Sequence, residues 1–247
     1  MQIEYAKVSA LGDREDNQDR AAVVVSDNSA LMLVFDGMGG HSDGAMAAET
    51  GLQVVQDLFM AAEQPIFDPQ GFLYMALSRA HDKVVELGTD LDVDFRPRAT
   101  CAVCLVQEGL AFWAHVGDSR IYQVRNERVL TRSRDHSHVE VLIQEGAISE
   151  EEAQDHPMRN FVECCIGGDA PIPDMSVTNG KRLAPGDVLL ACSDGLWSGL
   201  SDADMAMIGK PGDDNLVQNL KTLSMKALSV NSPYSDNTTG TALRWQG

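Results

Sequence analysis

Segments with strand-like and helix-like patterns occur in blocks along the chain, and this order is the strongest constraint on the fold. Three short aliphatic segments bounded by polar turns predict strands at residues 3–10, 21–26 and 31–35. Two segments with apolar residues spaced three and four positions apart, from Ala48 to Ala62 and from Leu73 to Leu87, predict helices. Regular β-α alternation is absent, which disfavours a Rossmann-type fold. Adjacent strands joined by tight turns favour antiparallel sheets with helices packed outside, an α+β architecture.

The second half of the chain again contains a block of predicted strands and a predicted helix. Strands are predicted at 100–107, 109–116, 119–125, 128–131, 175–178, 187–192 and 238–245, with hairpin turns at 107–109 and 125–127. An apolar stripe from Leu216 to Val230 predicts a last helix, which Asp213 or Asp214 can cap. The polar, interrupted region 135–168 reads as a flap-like insertion over the core. Without repeats or long linkers, residues 1–247 form a single predicted domain.

The charge of the chain limits its partners. The 247 residues include 37 Asp and Glu against 19 Lys and Arg, a net charge of −18. Such a surface repels a phosphate backbone, so nucleic acid is not an expected partner. The N-terminus lacks the basic and apolar stretches of a signal peptide, and no window has the roughly 18 apolar residues of a membrane helix. We therefore expect no membrane partner and a cytoplasmic location.

The cysteines agree with a reducing compartment. Their number is five, an odd count, and they are scattered through apolar segments. Cys101 and Cys104 form a C-x-x-C pair within a predicted strand. A strand sends these two side chains to opposite faces, so core thiols are the favoured interpretation over a redox or zinc pair.

Five aspartates stand at the ends of predicted strands, several of them beside glycine: Asp19, Asp36, Asp118, Asp194 and Asp236. Any one Asp-Gly pair is typical of an ordinary turn. Several carboxylates converging at one sheet rim would repel each other unless cations neutralised them. Oxygen-only ligands favour Mg²⁺ or Mn²⁺ over zinc. Together the five indicate a divalent-cation site of hydrolytic type and leave the substrate open.

Five motifs carry a resemblance to a known family. In order along the chain they are Gly12–Arg20, Phe35–His41, Gly117–Arg120, Ser193–Leu196 and Asp236–Thr239. The set resembles the bacterial branch of the type-2C (PPM) serine/threonine phosphatases, and the segments 135–137 and 156–160 resemble the flap of that branch. The resemblance implies two packed antiparallel sheets flanked by helices on both sides, in four α-β-β-α layers.

The resemblance also implies a role for each candidate residue. Asp36 bridges two cations, Mn²⁺ or Mg²⁺, with the Gly37 carbonyl on one of them, while Asp194 and Asp236 complete the shell of the other. Asp19 orients a water on the cations, and Asp118 is the ligand of a third, weaker ion. Arg14 grips the substrate phosphate with its planar fork of donors. The catalytic set is thus Arg14, Asp19 and Asp36.

The implied activity is hydrolysis of phosphoserine and phosphothreonine in a phosphorylated protein by a water activated between two cations. The implied enzyme is a monomer that opposes a bacterial serine/threonine kinase. Two alternatives stay open: a phosphatase dedicated to one regulatory phosphoprotein, and a catalytically weak module that binds phosphoproteins.

Some positions depart from the family pattern. Gln18 replaces a glutamate of many relatives, Met38 a histidine of animal members, and Ser198 an acid near the third ion. His41 is interpreted as the start of a helix, and Arg120 as the partner of a structural ion pair. Trp113 and Trp197 are interpreted as core or cleft-wall packing.

Overall fold

The computed structural model describes residues 1–38, 42–154, 156–210 and 215–247. In chain order its strands are β1 (Ile3–Ala10), β2 (Asp19–Val25), β3 (Ser29–Met38), β4 (Arg98–Gln107), β5 (Leu110–Val116), β6 (Arg120–Arg125), β7 (Arg128–Arg132), β8 (Ile166–Gly167), β9 (Ser176–Val177), β10 (Lys181–Arg182), β11 (Val188–Cys192) and β12 (Thr238–Trp245). Its α-helices are α1 (Ser42–Ala61), α2 (Pro69–Leu87), α3 (His138–Gln144), α4 (Glu150–Gln154), α5 (Asp194–Trp197), α6 (Asp202–Ala206) and α7 (Leu216–Asn231).

The strands form two antiparallel sheets. The first has the order β1-β12-β11-β6-β7, so that the first and last strands of the chain pair from Ile3 opposite Trp245 to Ala10 opposite Thr238. The second has the order β10-β5-β4-β3-β2, with β8 beside β4 and β9 beside β5. In this sheet Asp19 of β2 lies opposite Asp36 of β3. That register brings two of the five candidate aspartates to the same end of the sandwich.

Three apolar layers separate the sheets and helices. Between the two sheets lie Met32, Trp113, Leu189 and Leu243. The neighbouring residues on each strand point the other way, as alternation along a strand requires. They form one layer under α1 and α2, with Leu33, Phe35, Val55 and Leu73, and one under α7, with Val124, Leu190, Leu220 and Leu223. The predicted four-layer α-β-β-α architecture is confirmed.

The C-x-x-C cysteines follow the same alternation. Cys101 faces the layer under α1 and α2, whereas Cys104 lies between the sheets, and both side chains are fully buried. Burial raises the pKa of Cys101 to about 12, so its thiol stays protonated at neutral pH. The interpretation as core thiols is confirmed.

Both predicted hairpin turns are present. Glu108 and Gly109 join β4 to β5 with φ of 51° and 70°, and Asn126 and Glu127 join β6 to β7 with φ of 50° and 56°. Positive φ at both central residues is the type I′ geometry that matches the twist of a hairpin.

The structure corrects two details of the sequence interpretation. The last helix begins after Asn215, whose side chain accepts a hydrogen bond from the Gln218 amide, whereas Asp213 and Asp214 lie outside the described residues. The region 135–168 includes the short helices α3 and α4. Its last residues, Ile166–Gly167, pair with β4, and Ile166 is fully buried, so this end belongs to the sheet and not to an insertion.

Candidate metal centre

An open pocket of about 630 Å³ lies at one rim of the sandwich. Six of the seven site residues predicted from the sequence line it: Arg14, Asp36, Gly37, Asp118, Asp194 and Asp236. The seventh, Asp19, is 4% exposed, and its Oδ2 accepts a hydrogen bond from Ser193 Oγ at 2.8 Å. Residues from five separate parts of the chain therefore meet at one place.

Strand pairing places Asp36. The sequence predicted that β3 would end before Asp36, but the strand continues to Met38 because Asp36, Gly37 and Met38 pair with residues of β4. Gly37 is required there by close packing: a Cβ would collide with the carbonyl oxygen of Gly44 in α1. Asp36 is therefore held by neighbouring strands on both sides.

A short helix, and not a strand end, positions Asp194. Asp194 is the first residue of α5, which the sequence interpretation missed because four residues are too few to show helical periodicity. Gly195 packs against the backbone of Asn237, where a Cβ would collide with the carbonyl oxygen. The turn that carries Asp236 thus lies directly against the start of α5.

The backbone of Asp118 is held by α5 as well. The indole Nε1 of Trp197 donates to the Asp118 carbonyl at 3.0 Å, and the Arg120 guanidinium stacks 3.3 Å above the Trp197 ring. Arg120 also donates to both carboxylate oxygens of Asp135, at 2.8 and 2.7 Å. The prediction that Arg120 is a structural ion-pair partner is confirmed, and Trp197 forms part of the wall behind Asp118.

The carboxyl groups of the site have raised pKa values. Burial first, and then the charges of Asp19, Asp194, Asp118 and Asp236, hold the pKa of Asp36 well above that of an ordinary aspartate. Burial raises the pKa of Asp19 to about 7, and burial together with Asp236 raises the pKa of Asp194 to about 6. Burial and Asp194 likewise raise the pKa of Asp118. Each group is therefore poorly stabilised as an anion by the protein alone.

Arg14 is the one basic residue among the described residues that line the pocket. Its NH2 donates to Asp236 Oδ2 at 2.5 Å, although the Arg14 side chain is 59% exposed. This hydrogen bond, followed by the charges of Asp236, Asp194 and Asp36, raises the pKa of the guanidinium. A single exposed cation cannot balance the carboxylates of the pocket.

The donor set fits hard divalent cations. Asp19 Oδ1 is buried and has no hydrogen-bond partner, so it is an unused acceptor next to the other carboxyl groups. Asp36 pairs with Asp19 across β2 and β3, and the charges of Asp19 and Asp194 both act on its carboxyl group. Among the described residues no three Asp, Glu, His or Cys side chains already surround one point as metal ligands do. A divalent cation bound here would relieve the repulsion between these carboxyl groups and replace the Arg14 contact with Asp236.

The sequence interpretation missed the residues that support this site. Asn237 lines the pocket and is hydrogen-bonded to the loop that carries Arg14, and Asn160 and Val162 bring the region 135–168 to the same pocket. Met38 also lines the pocket, Ser198 follows α5, and His41 lies outside the described residues. Only the Asp-Asn pair at 236–237 gave a sequence signal, since asparagine there can bond to nearby backbone.

Comparisons with known proteins identify the family and match the fold. The family model described as Protein phosphatase 2C matches residues 8–223. A putative protein phosphatase 2C-type of Streptococcus pyogenes serotype M6 is 34% identical over 204 residues, which cover 79% of this chain and 79% of that protein. The structure of the S. agalactiae serine/threonine phosphatase superimposes with a TM-score of 0.85 at 29% identity, covering 99% of this chain and 100% of that one.

A further solved structure contains metal. The catalytic domain of the serine/threonine protein phosphatase PstP, in complex with two manganese ions, superimposes with a TM-score of 0.81 at 25% identity, covering 99% of each chain. The layered fold and the acidic pocket thus define a phosphatase. The chain belongs to the protein phosphatase 2C family, and it is a protein-serine/threonine phosphatase.

Proposed function

We propose that this chain hydrolyses phosphoserine and phosphothreonine in proteins at the rim pocket, with two Mn²⁺ or Mg²⁺ ions as cofactors. The observation that carries the proposal is the convergence of Asp19, Asp36, Asp194 and Asp236 beside a single arginine. Carboxylates that converge with only one exposed arginine beside them, in the described part of the pocket, are tolerable when divalent ions neutralise them. The manganese complex of PstP supports the same dependence here.

Three carboxylates are the proposed ligands of the two ions. Asp36 pairs with Asp19 and experiences the charge of Asp194, so it is the group that would hold both ions, with the Gly37 carbonyl beside it. Asp194 and Asp236 lie together where α5 meets the turn before β12, and they complete one shell. Asp118, held from behind by Trp197, is the proposed ligand of a third, weaker ion.

The chain's own groups provide the rest of the chemistry. When bound, the two cations lower the pKa of a water and stabilise the charge that develops on the phosphoryl group. Asp19 accepts a hydrogen bond from the attacking water through its unpaired Oδ1 and so orients it. Arg14 reaches from an exposed loop and binds the phosphate oxygens with its guanidinium fork. The attack on phosphorus then proceeds without a covalent intermediate on the protein.

The expected substrate is a phosphorylated protein, the target of a bacterial serine/threonine kinase. The pocket is open enough to admit a phosphorylated side chain from an extended segment, with Asn160 and Val162 at its border. We propose that the region 135–168 is a flap over this pocket within one catalytic domain, and that the enzyme is a cytoplasmic monomer. In the described part of the chain, no helix has the length and apolar character needed to cross a membrane.

One assay tests the proposal. The chain is incubated with p-nitrophenyl phosphate and then with a phosphothreonine peptide, with Mn²⁺, with Mg²⁺, and with chelator. We expect phosphate release from both substrates only when a divalent ion is present. Release from neither substrate in any metal would contradict the proposal and favour the phosphoprotein-binding module, which the comparisons do not favour.

A further inference from the structure

The loop that carries Arg14 is attached to the turn that carries Asp236. Arg14 lies between β1 and β2, in a segment without regular secondary structure, and Asp236 stands 222 residues further along the chain. Because the Arg14 side chain is mostly exposed, the position of its guanidinium depends on how this loop is held.

The side chain of Asn237 holds the loop at three points. Its Nδ2 donates to the carbonyl oxygens of Leu11, at 2.8 Å, and Asp16, at 2.9 Å. Its Oδ1 accepts a hydrogen bond from the Gln18 amide at 2.8 Å. The bonds fall on both sides of Arg14, and the side chain is 6% exposed. Every hydrogen-bonding group of the amide is thus used to fix the two ends of one loop.

A second set of bonds joins the same two segments. The Asp13 carboxylate accepts from the Ser235 amide at 3.0 Å and from Ser235 Oγ at 2.7 Å, and the Asp13 amide donates to the Ser235 carbonyl at 2.9 Å. Gly12, with φ of 66°, lies so close to Asp236 that a Cβ would collide with its carbonyl oxygen. Loop and turn therefore pack together as one unit.

We infer that Asn237 is a positioning residue for Arg14, and that it fixes the loop backbone from which the guanidinium reaches the carboxylates of the rim. The inference rests on the proposed role of Arg14 in phosphate binding. Asn237 acts through the backbone at Leu11, Asp16 and Gln18, and Asp13 supports the same loop from its other side.

The test compares Asn237→Ala with the wild type in the presence of saturating Mn²⁺. Loss of three buried hydrogen bonds should raise the KM for p-nitrophenyl phosphate, and the inhibition constant of inorganic phosphate, about tenfold. Asp13→Ala, which removes an exposed side chain, should raise the same two constants by a smaller factor, about threefold, and keeps the test decisive if Asn237→Ala folds poorly.

A double-mutant cycle separates positioning from general damage. In the Arg14→Ala background, where KM is already raised at least about tenfold, Asn237→Ala should raise KM no further. Asn219→Ala is the matched control. Asn219 is also buried and also donates to two backbone carbonyls, those of Ile208 and Lys210, but it lies in α7 away from the pocket. It should lower the melting temperature and leave KM unchanged.

Three outcomes would overturn the inference: an unchanged KM in folded Asn237→Ala, additive effects of Asn237→Ala and Arg14→Ala, or an equal rise of KM in Asn219→Ala. Calorimetric titration with Mn²⁺ should give the same affinity for Asn237→Ala and the wild type, and a weakened affinity would also contradict it. Failure of the proposed function would look different, because the wild type itself would then be inactive or Arg14→Ala would leave KM unaltered.

Discussion

Two aspartates at opposite ends of the same strand have opposite environments. Asp187 precedes β11 and Asp194 follows it, only seven positions away. Asp187 is fully buried, and its carboxylate accepts from Arg125 Nε at 2.6 Å and Arg125 NH2 at 2.7 Å, from Gln123 at 3.0 Å and from the Ala184 amide at 3.0 Å. Asp194 meets other carboxyl groups, with Arg14 as a distant cation.

The pKa values of the two groups record the difference. Burial acts to raise the pKa of Asp187, but the hydrogen bonds from Arg125, Ala184 and Gln123 outweigh it and hold the pKa below its ordinary value. Burial raises the pKa of Asp194 to about 6, with Asp236 adding to the effect. A buried carboxylate that is paired with a basic side chain of the protein, as Asp187 is with Arg125, is part of the structural framework. The rim carboxylates have only the exposed Arg14 as a basic neighbour among the described pocket residues, so we propose that they need ions from solution, and this distinguishes the two ends of the sandwich.

The largest expected effect is on turnover. Asp36→Asn should lower kcat/KM about a thousandfold or more, because the carboxylate proposed to hold both ions is lost while the amide keeps the shape of the side chain. Asp187→Asn is the matched control at the other end and should keep kcat/KM within about twofold of the wild type. Steady-state kinetics with a phosphothreonine peptide checks both, and wild-type-like activity in Asp36→Asn would count against the assigned centre.

Stabilisation of the fold by bound metal should likewise depend on Asp36 at the rim and not on Asp187 at the other end. Adding Mn²⁺ at about a hundred times its dissociation constant should stabilise the wild type by about 2.7 kcal/mol, a rise of several degrees in melting temperature. Asp36→Asn should lose most of this rise. Asp187→Asn should start from a melting temperature lower by roughly 5 °C and still show the full rise. Differential scanning calorimetry distinguishes the two patterns.

In the presence of chelator, the stability of the protein should fall as the pH rises, because the rim carboxyl groups have raised pKa values. A folded-state pKa of about 7 for Asp19 lies above the ordinary unfolded value of about 3.9, so its stabilising contribution is complete below pH 4 and is lost as the pH rises toward 7. The lowered pKa of Asp187 acts in the opposite sense, with stability lost only as the pH falls below about 4.

Between pH 4.5 and 7.5 the rim carboxyl groups should therefore determine how the stability changes with pH. We expect the melting temperature in chelator to fall by a few degrees over this range, and the fall to disappear with saturating Mn²⁺. A chelated protein that becomes steadily more stable over the same range would show that the rim carboxylates are already paired.

The smallest expected effect concerns Arg14, the basic residue among the described residues that line the pocket. Arg14 occupies Asp236 Oδ2, so Arg14→Ala should free that oxygen and remove a positive charge. Because exposed ion pairs are weak, the Mn²⁺ dissociation constant should fall only about two- to threefold. Titration calorimetry measures it, with Lys226→Ala, which removes an exposed cation paired to Asp204 away from the pocket, as the control. A weaker Mn²⁺ affinity in Arg14→Ala would contradict the expectation that Arg14 competes with the ion for Asp236 Oδ2.

The sequence predicted the layers better than the details of the site. The bounds of β1 and β12 were right because their aliphatic pattern is continuous and polar turns flank it. The end of β3 was wrong because Asp36-Gly37 is typical of a turn, whereas pairing with Thr100 and Ala99 of β4 extends the strand. The hydrogen bonds between β3 and β4 outweighed the local preference of Asp36-Gly37 for a turn. No local sequence pattern reveals such bonds between strands.

Convergence of the aspartates was predictable, but their support was not. Asp19 and Asp36 are marked by the strands that follow or precede them. The contacts of Asn237 with Leu11 and Asp16 join positions more than 220 residues apart in the chain, and its sequence neighbours say nothing about which backbone atoms it will meet. The same holds for Trp197, whose bond to Asp118 exists only once α5 is folded.

The most direct test of the claim that this rim is completed by ions from solution is anomalous diffraction from a crystal grown with Mn²⁺. We predict two strong manganese peaks within about 2.5 Å of carboxylate oxygens of Asp36, Asp194 and Asp236, with the Arg14–Asp236 contact replaced. A crystal grown with saturating Mn²⁺ that shows no manganese peak at this rim, or peaks only elsewhere on the acidic surface, would contradict the account.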